Sequence, residues 1–139
     1  DMVSRSRVRP DTLNLPEFGT FNIEPPCNGV PKLTIKKELL NRTENKLHRR
    51  TPVYTDLDYN GHVNNSKYVE WVCDLFTPGF YSKNIVEEID IKYHKEILYG
   101  NEVTMELIND GDKVYYIKGT ADDSENNSIC RFDASIKFA

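Results

Sequence analysis

The sequence is poor in cysteine, with three among 139 residues, at Cys27, Cys73 and Cys130. The number is odd, the spacing is wide, and neither a CxxC pair nor a Cys/His metal-ligand spacing occurs. A disulfide framework is excluded, no metal centre is expected, and free thiols in a reducing compartment are the reading that remains. No apolar run approaches the ~20 residues of a membrane-spanning helix. No secretory-signal pattern follows Asp1, and a chain that opens on Asp rather than Met reads as a fragment or a processed product. Excess positive charge is missing too. With 18 Lys+Arg against 22 Asp+Glu the net charge is −4, which argues against a dedicated nucleic-acid binder. What is present is globular: 38% hydrophobic and 11% aromatic. A chain of this length buries roughly two thirds of its unfolded surface and needs no covalent staple.

The charge is unevenly placed. Residues 1–50 hold 10 Lys/Arg and 6 Asp/Glu, whereas residues 51–139 hold 8 and 16. Such a split marks an arm or a docking face, or simply a solvated surface. Pro10, Pro16, Pro25, Pro26 and Pro31 also break the first part repeatedly. Residues 1–46 are therefore read as a linker or arm, with a strand at 32–35 and a weak helical turn within 36–47 as its only candidate elements.

From residue 47 the pattern sharpens. His48–Thr55 reads as a strand. The polar loop 56–65 follows, and then a helix over Ser66–Phe76, whose apolar residues Tyr68, Val69, Val72, Cys73 and Phe76 recur at helical spacing. Asn64 or Asn65 supplies its N-cap, and Thr77-Pro78-Gly79 ends it. Four strand candidates come next: 85–97, 102–108, 113–121 and 129–138. A hairpin turn at Asn109-Asp110-Gly111-Asp112 joins the middle pair. Cys130, Phe132, Ala134, Ile136 and Phe138 give the cleanest period of two and are expected on one core-facing side. The order β–α–β–β–β–β predicts an α+β domain over residues 47–139, a long central helix wrapped by a curved antiparallel sheet. That order is the hot-dog arrangement.

The chemistry is concentrated in residues 56–65, which hold two carboxylates, three amides and an imidazole immediately before a buried helix. Free N–H groups at a helix start can hold a developing oxyanion. Asp58, Asn60 and His62 are spaced by two, so an extended backbone projects them to one side. A carboxylate, an amide and an imidazole together can hold and activate water. The same residue types also make ordinary caps and Asx-turns in strand-to-helix loops.

The stretch "YTDLDYNGHVNNSKYVEW", followed by "IDIKYHKEI", resembles the signature of acyl–acyl-carrier-protein (acyl-ACP) thioesterases. These release fatty acids from carrier protein and have two hot-dog domains in one chain. The resemblance covers residues 47–139 and corresponds to the second domain. "SRSRVRPDTLNLPEF" is weakly similar to the linker that follows the first. The resemblance implies hydrolysis of a fatty acyl thioester without metal or redox cofactor. It maps the catalytic set onto Asp58, Asn60, His62 and Glu96. The helix start at Asn64 and Asn65 is where the oxyanion is expected, steadied by a backbone N–H and Asn60. Ile97 stands where plant relatives carry a cysteine, which removes a cysteine nucleophile from that position. Attack by water assisted by Glu96 or His62 and direct attack by Asp58 both remain open. A regular strand would turn Glu96, with His94, away from the helix; only a bulge, or a site on the outer face, brings it into the set.

The partners implied are an acidic acyl carrier protein, with Lys36, Lys37, Arg49 and Arg50 as candidate docking residues, and a second hot-dog domain or a second copy of the chain. The setting implied is bacterial cytoplasm, or alternatively plastid stroma. A stand-alone hot-dog acyl-CoA thioesterase and a non-enzymatic binding remnant are the competing functions.

Overall fold

The computed structural model describes residues 32–111 and 113–139, and Lys32–Ala139 make up one compact unit. The readings made within residues 1–31, Cys27 among them, lie outside the described residues, as does Asp112 of the expected turn. The unit opens with a single 3-10 turn at Lys37–Leu39, and residues 32–35 do not form the strand considered for them. The following turn is fastened to the sheet by the buried Glu106 carboxylate. That group accepts from the Asn45 amide at 2.7 Å and from the Asn41 backbone N–H.

The elements are β1 Lys46–Arg50, α1 Asn65–Cys73, α2 Pro78–Tyr81, β2 Val86–Tyr93, β3 Val103–Asn109, β4 Val114–Asp122 and β5 Ser128–Phe138. The five strands form one antiparallel sheet in the order β1-β3-β4-β5-β2. Tyr68, Trp71 and Val72 of α1 pack onto Val103, Ile117, Phe132, Ala134 and Ile136 of that sheet. Burying each large apolar side chain contributes about 1.5–3 kcal/mol. This is the hot-dog architecture expected from the element order, with a shorter helix than the apolar stripe predicts.

The helix starts as expected, with the Asn64 side chain accepting from the Ser66 N–H at 3.0 Å. It ends early because the chain tightens: the Leu75 and Phe76 N–H groups reach back three residues, to Val72 and Cys73. Thr77 then caps α2, with Pro78 at its first position, so Thr77-Pro78-Gly79 opens a second helix as well as closing the first. The expected strand 48–55 is shorter and begins earlier, because a 3-10 turn occupies Tyr54–Asp56. The buried Asp56 carboxylate accepts from the Val53 N–H at 2.9 Å and holds that turn.

Phe132 fills the centre of the sheet over Gly119, where a Cβ would run into its ring. Next to it β5 carries one extra residue. Gly119 pairs with Phe132 and Thr120 with Cys130, which leaves Arg131 unpaired against β4. A bulge of this kind reverses the alternation of side chains beyond it. Cys130 consequently leaves the core-facing row that its spacing suggested. Its thiol lies 3.7 Å from the Asp133 carboxylate, while Phe132, Ala134, Ile136 and Phe138 remain buried.

Candidate active site

The polar loop closes on itself. Leu57 bridges to Val63, the Asp58 N–H donates to the His62 carbonyl at 2.8 Å, and Gly61 turns the chain at φ +78°. That φ suits glycine and strains most other residues. Asp58 is the hub of the turn. Its Oδ1 accepts from the backbone N–H groups of Asn60 and His62 at 2.8 and 3.1 Å.

His62 is brought to Glu96 by a second device. β2 stops at Tyr93, and the N–H groups of His94 and Lys95 both donate to the Arg131 carbonyl, at 2.8 and 3.1 Å. Two donors on one acceptor mark an extra residue, which breaks the parity that would have turned Glu96 away. The buried Arg131 guanidinium also donates to the carbonyls of Glu96 and Asp122, at 3.1 and 3.0 Å. His62 bridges to Leu98, and the Val63 N–H donates to the Ile97 carbonyl at 2.9 Å. The outcome is His62 Nδ1 at 3.3 Å from Glu96 Oε2, with both side chains partly exposed.

These residues border a cleft of about 250 Å³. Asp58, His62 and Glu96 line it together with Asn65, Val63, Tyr68 and Tyr93. Tyr93 donates its hydroxyl to the Asn65 carbonyl at 3.1 Å and stacks edge-on with Tyr68 at 5.0 Å. Burial raises both phenols, Tyr68 to about 12, so both are neutral at ordinary pH. The Asn65 N–H has no acceptor among the described residues.

Other candidates fall elsewhere. Asn60 is exposed and does not line the cleft, and Asn64 is engaged in capping the helix. Lys36, Lys37 and Arg49 are exposed, Arg49 lying 3.6 Å from Glu102. Arg50 is tied inward, 2.8 Å from Asp74 and stacked 5.0 Å over the Trp71 ring. His48 is half-buried, with its Nε2 unpartnered among the described residues. Arg131 went unnoticed in the sequence, where one arginine in a strand carries no signal of a bulge.

The sequence profile of the acyl-ACP thioesterase C-terminal domain matches residues 39–137. The chain belongs to that family. It is 37% identical over 46 residues to a dodecanoyl-ACP hydrolase of Cinnamomum camphora, covering 33% of this chain and 12% of that protein. It is 30% identical over 88 residues to a palmitoyl-ACP thioesterase of Arabidopsis thaliana, covering 59% and 21%. Both relatives are chloroplastic by name. Among solved structures, an acyl-ACP thioesterase from Bacteroides thetaiotaomicron superposes with TM-score 0.68 at 22% identity. That match covers 84% of this chain and 44% of that one. The 4-hydroxybenzoyl-CoA thioesterase of a Pseudomonas strain superposes with TM-score 0.58 at 13% identity, covering 68% and 84%. The chain thus spans less than half the length of these acyl-ACP thioesterases. Among its described residues no helix is long and apolar enough to cross a membrane.

Proposed function

We propose that this chain supplies the hydrolytic machinery of a thioesterase acting on fatty acyl-ACP, releasing a fatty acid and the carrier thiol. The observation that carries the reading is the His62–Glu96 pair, 3.3 Å apart, on a cleft shared with Asp58 at the start of α1. Glu96 holds His62 through Nδ1, and Nε2, without a partner among the described residues, acts as the base. Water attacks the thioester carbonyl carbon as Nε2 takes its proton. The oxyanion sits against the Asn65 N–H at the positive end of the helix. The C–S bond then breaks, and His62 returns the proton to the leaving sulfur. Asp58 keeps the loop closed with Oδ1 and lines the cleft. Asn60 is left a loop role. A cleft of about 250 Å³ is smaller than the ~300–1,000 Å³ of most small-molecule sites. It receives the thioester head, and the acyl chain lies elsewhere.

The carrier protein docks on the basic residues Lys36, Lys37 and Arg49. A second hot-dog unit, another copy or the first domain implied by the family resemblance, pairs along the outer edge of β2, an edge strand of the sheet. A monodisperse monomer by light scattering overturns that pairing. The setting is the bacterial cytoplasm, in keeping with the free Cys73 and Cys130.

The deciding experiment is hydrolysis of acyl-ACP and acyl-CoA by native chain, His62→Ala and Asp58→Ala. A general base typically contributes ~10²–10⁴-fold and an oxyanion donor ~10²–10³-fold. Each variant should lose at least about tenfold on acyl-ACP by that scale. Near-native rates in both overturn the assignment, and equal native rates on the two substrates favour an acyl-CoA enzyme.

A further inference from the structure

A second cluster of reactive side chains sits beside the cleft, built by the same two irregularities. The β5 bulge turns Cys130 to the side of Asp133, with Sγ 3.7 Å from Oδ1. The turn at the end of β2 swings His94 over the other carboxylate oxygen, with Nε2 2.7 Å from Oδ2. The three side chains bring one nitrogen, one sulfur and one oxygen within 4.8 Å of one another. Zinc bonds of ~2.0–2.3 Å in tetrahedral geometry need donors roughly 3.3–3.8 Å apart; the thiol stands 3.7 Å from the carboxylate, and the imidazole, at 2.7 Å, has to back away from it to admit an ion. Cys130 and Asp133 are half-buried and His94 is exposed, so a fourth position faces solvent.

We propose that His94, Cys130 and Asp133 form a site for a first-row transition-metal dication of the zinc class, separate from the hydrolytic residues. The donor chemistry selects the ion. Imidazole with thiolate suits zinc, cobalt or copper, whereas magnesium and calcium take oxygen donors. A carboxylate and a thiolate together match two positive charges. Burial and the Asp133 carboxylate push the Cys130 thiol up to about 11, so the thiol is protonated in the free chain and the arriving ion itself has to displace the proton. Binding breaks the S–H bond and releases that proton to solvent, replaces the His94–Asp133 hydrogen bond with two metal bonds, and leaves water on the fourth position. Nothing in this proposal depends on the hydrolytic reading. His94 also lines the catalytic cleft, so an occupied site stands directly beside Glu96.

The test is titration of the reduced chain with Co²⁺, followed by displacement with Zn²⁺. The expected result is a thiolate-to-cobalt charge-transfer band with tetrahedral d–d absorption, abolished by Zn²⁺. Cys130→Ser should remove the charge-transfer band, whereas Cys27→Ser and Cys73→Ser should retain it. His94→Ala should weaken Co²⁺ binding at least as much as the ~10–100-fold typical of losing an outer-shell partner. Zn²⁺ should raise the melting temperature of native chain and leave that of Cys130→Ser unchanged, which separates lost ligation from lost folding. Absence of the band in native chain, or its survival in Cys130→Ser, overturns the site.

Discussion

Replacing Arg131 by Met removes a buried side chain that ties the strip carrying Glu96 to the sheet. Arg131 is 5% exposed, and its guanidinium donates to the carbonyls of Glu96 and Asp122 at 3.1 and 3.0 Å. Hydrogen bonds to a charged partner contribute about 1.5–3 kcal/mol each. Relief of the desolvation cost of a buried cation offsets part of their loss. The two carbonyls left without a donor add to the penalty. The expected net destabilisation is about 2–4 kcal/mol. For a unit of this size each kcal/mol lowers the melting temperature by roughly 4–8 °C, so a fall of about 10–25 °C follows. Circular dichroism melts and urea titrations of full-length chain measure it. The rate should suffer separately, because Glu96 loses its backbone anchor, and a displacement near 1 Å is worth up to about 10²-fold. Hydrolysis measured well below the variant's melting point isolates that part. Arg131→Lys keeps the charge but not the forked geometry and should fall between the two. A Met variant within about 0.5 kcal/mol of native, at native rate, would refute the anchoring role.

Gly119→Ala should destabilise by about 1–3 kcal/mol, since the added methyl meets the Phe132 ring in a packed core; an unchanged urea midpoint would contradict that packing. Tyr68 titrates near 12 in the folded chain against 10.0 for the free side chain. Above pH 10 the unfolded chain therefore gives up its proton first, and stability falls as pH rises from 10 towards 12. Tyr68→Phe should flatten this alkaline slope in pH-dependent denaturation, and an identical slope would refute it. Rising salt should raise the apparent KM for acyl-ACP more than for an uncharged thioester if Lys36, Lys37 and Arg49 dock the carrier; equal shifts would count against docking there.

Most of the fold was legible because its pattern is local. The alternation Phe132, Ala134, Ile136, Phe138 has period two and all four are buried. Asn64 before an apolar helix is a cap by its chemistry, and it caps. The helix end was harder to read, since the apolar residues Leu75 and Phe76 continue into a tightened turn that pattern does not distinguish from helix. The loop with Asp58 and His62 stood out by composition. The proximity of Glu96 did not, because strand parity pointed the other way. One unpaired residue in β5 and two N–H groups sharing one carbonyl reverse that parity, and neither leaves a mark in residue types. The same bulge hid the neighbourhood of Cys130, His94 and Asp133, which are far apart in sequence or out of phase.

The shared carbonyl of Arg131 has a kinetic consequence. The amides of His94 and Lys95 hang on a single acceptor, so one local opening frees both. Their hydrogen exchange should therefore proceed at one common opening rate, and that rate is also how often the strip carrying Glu96 comes off the sheet. Following two amide protons thus times the disassembly of the cleft without any substrate.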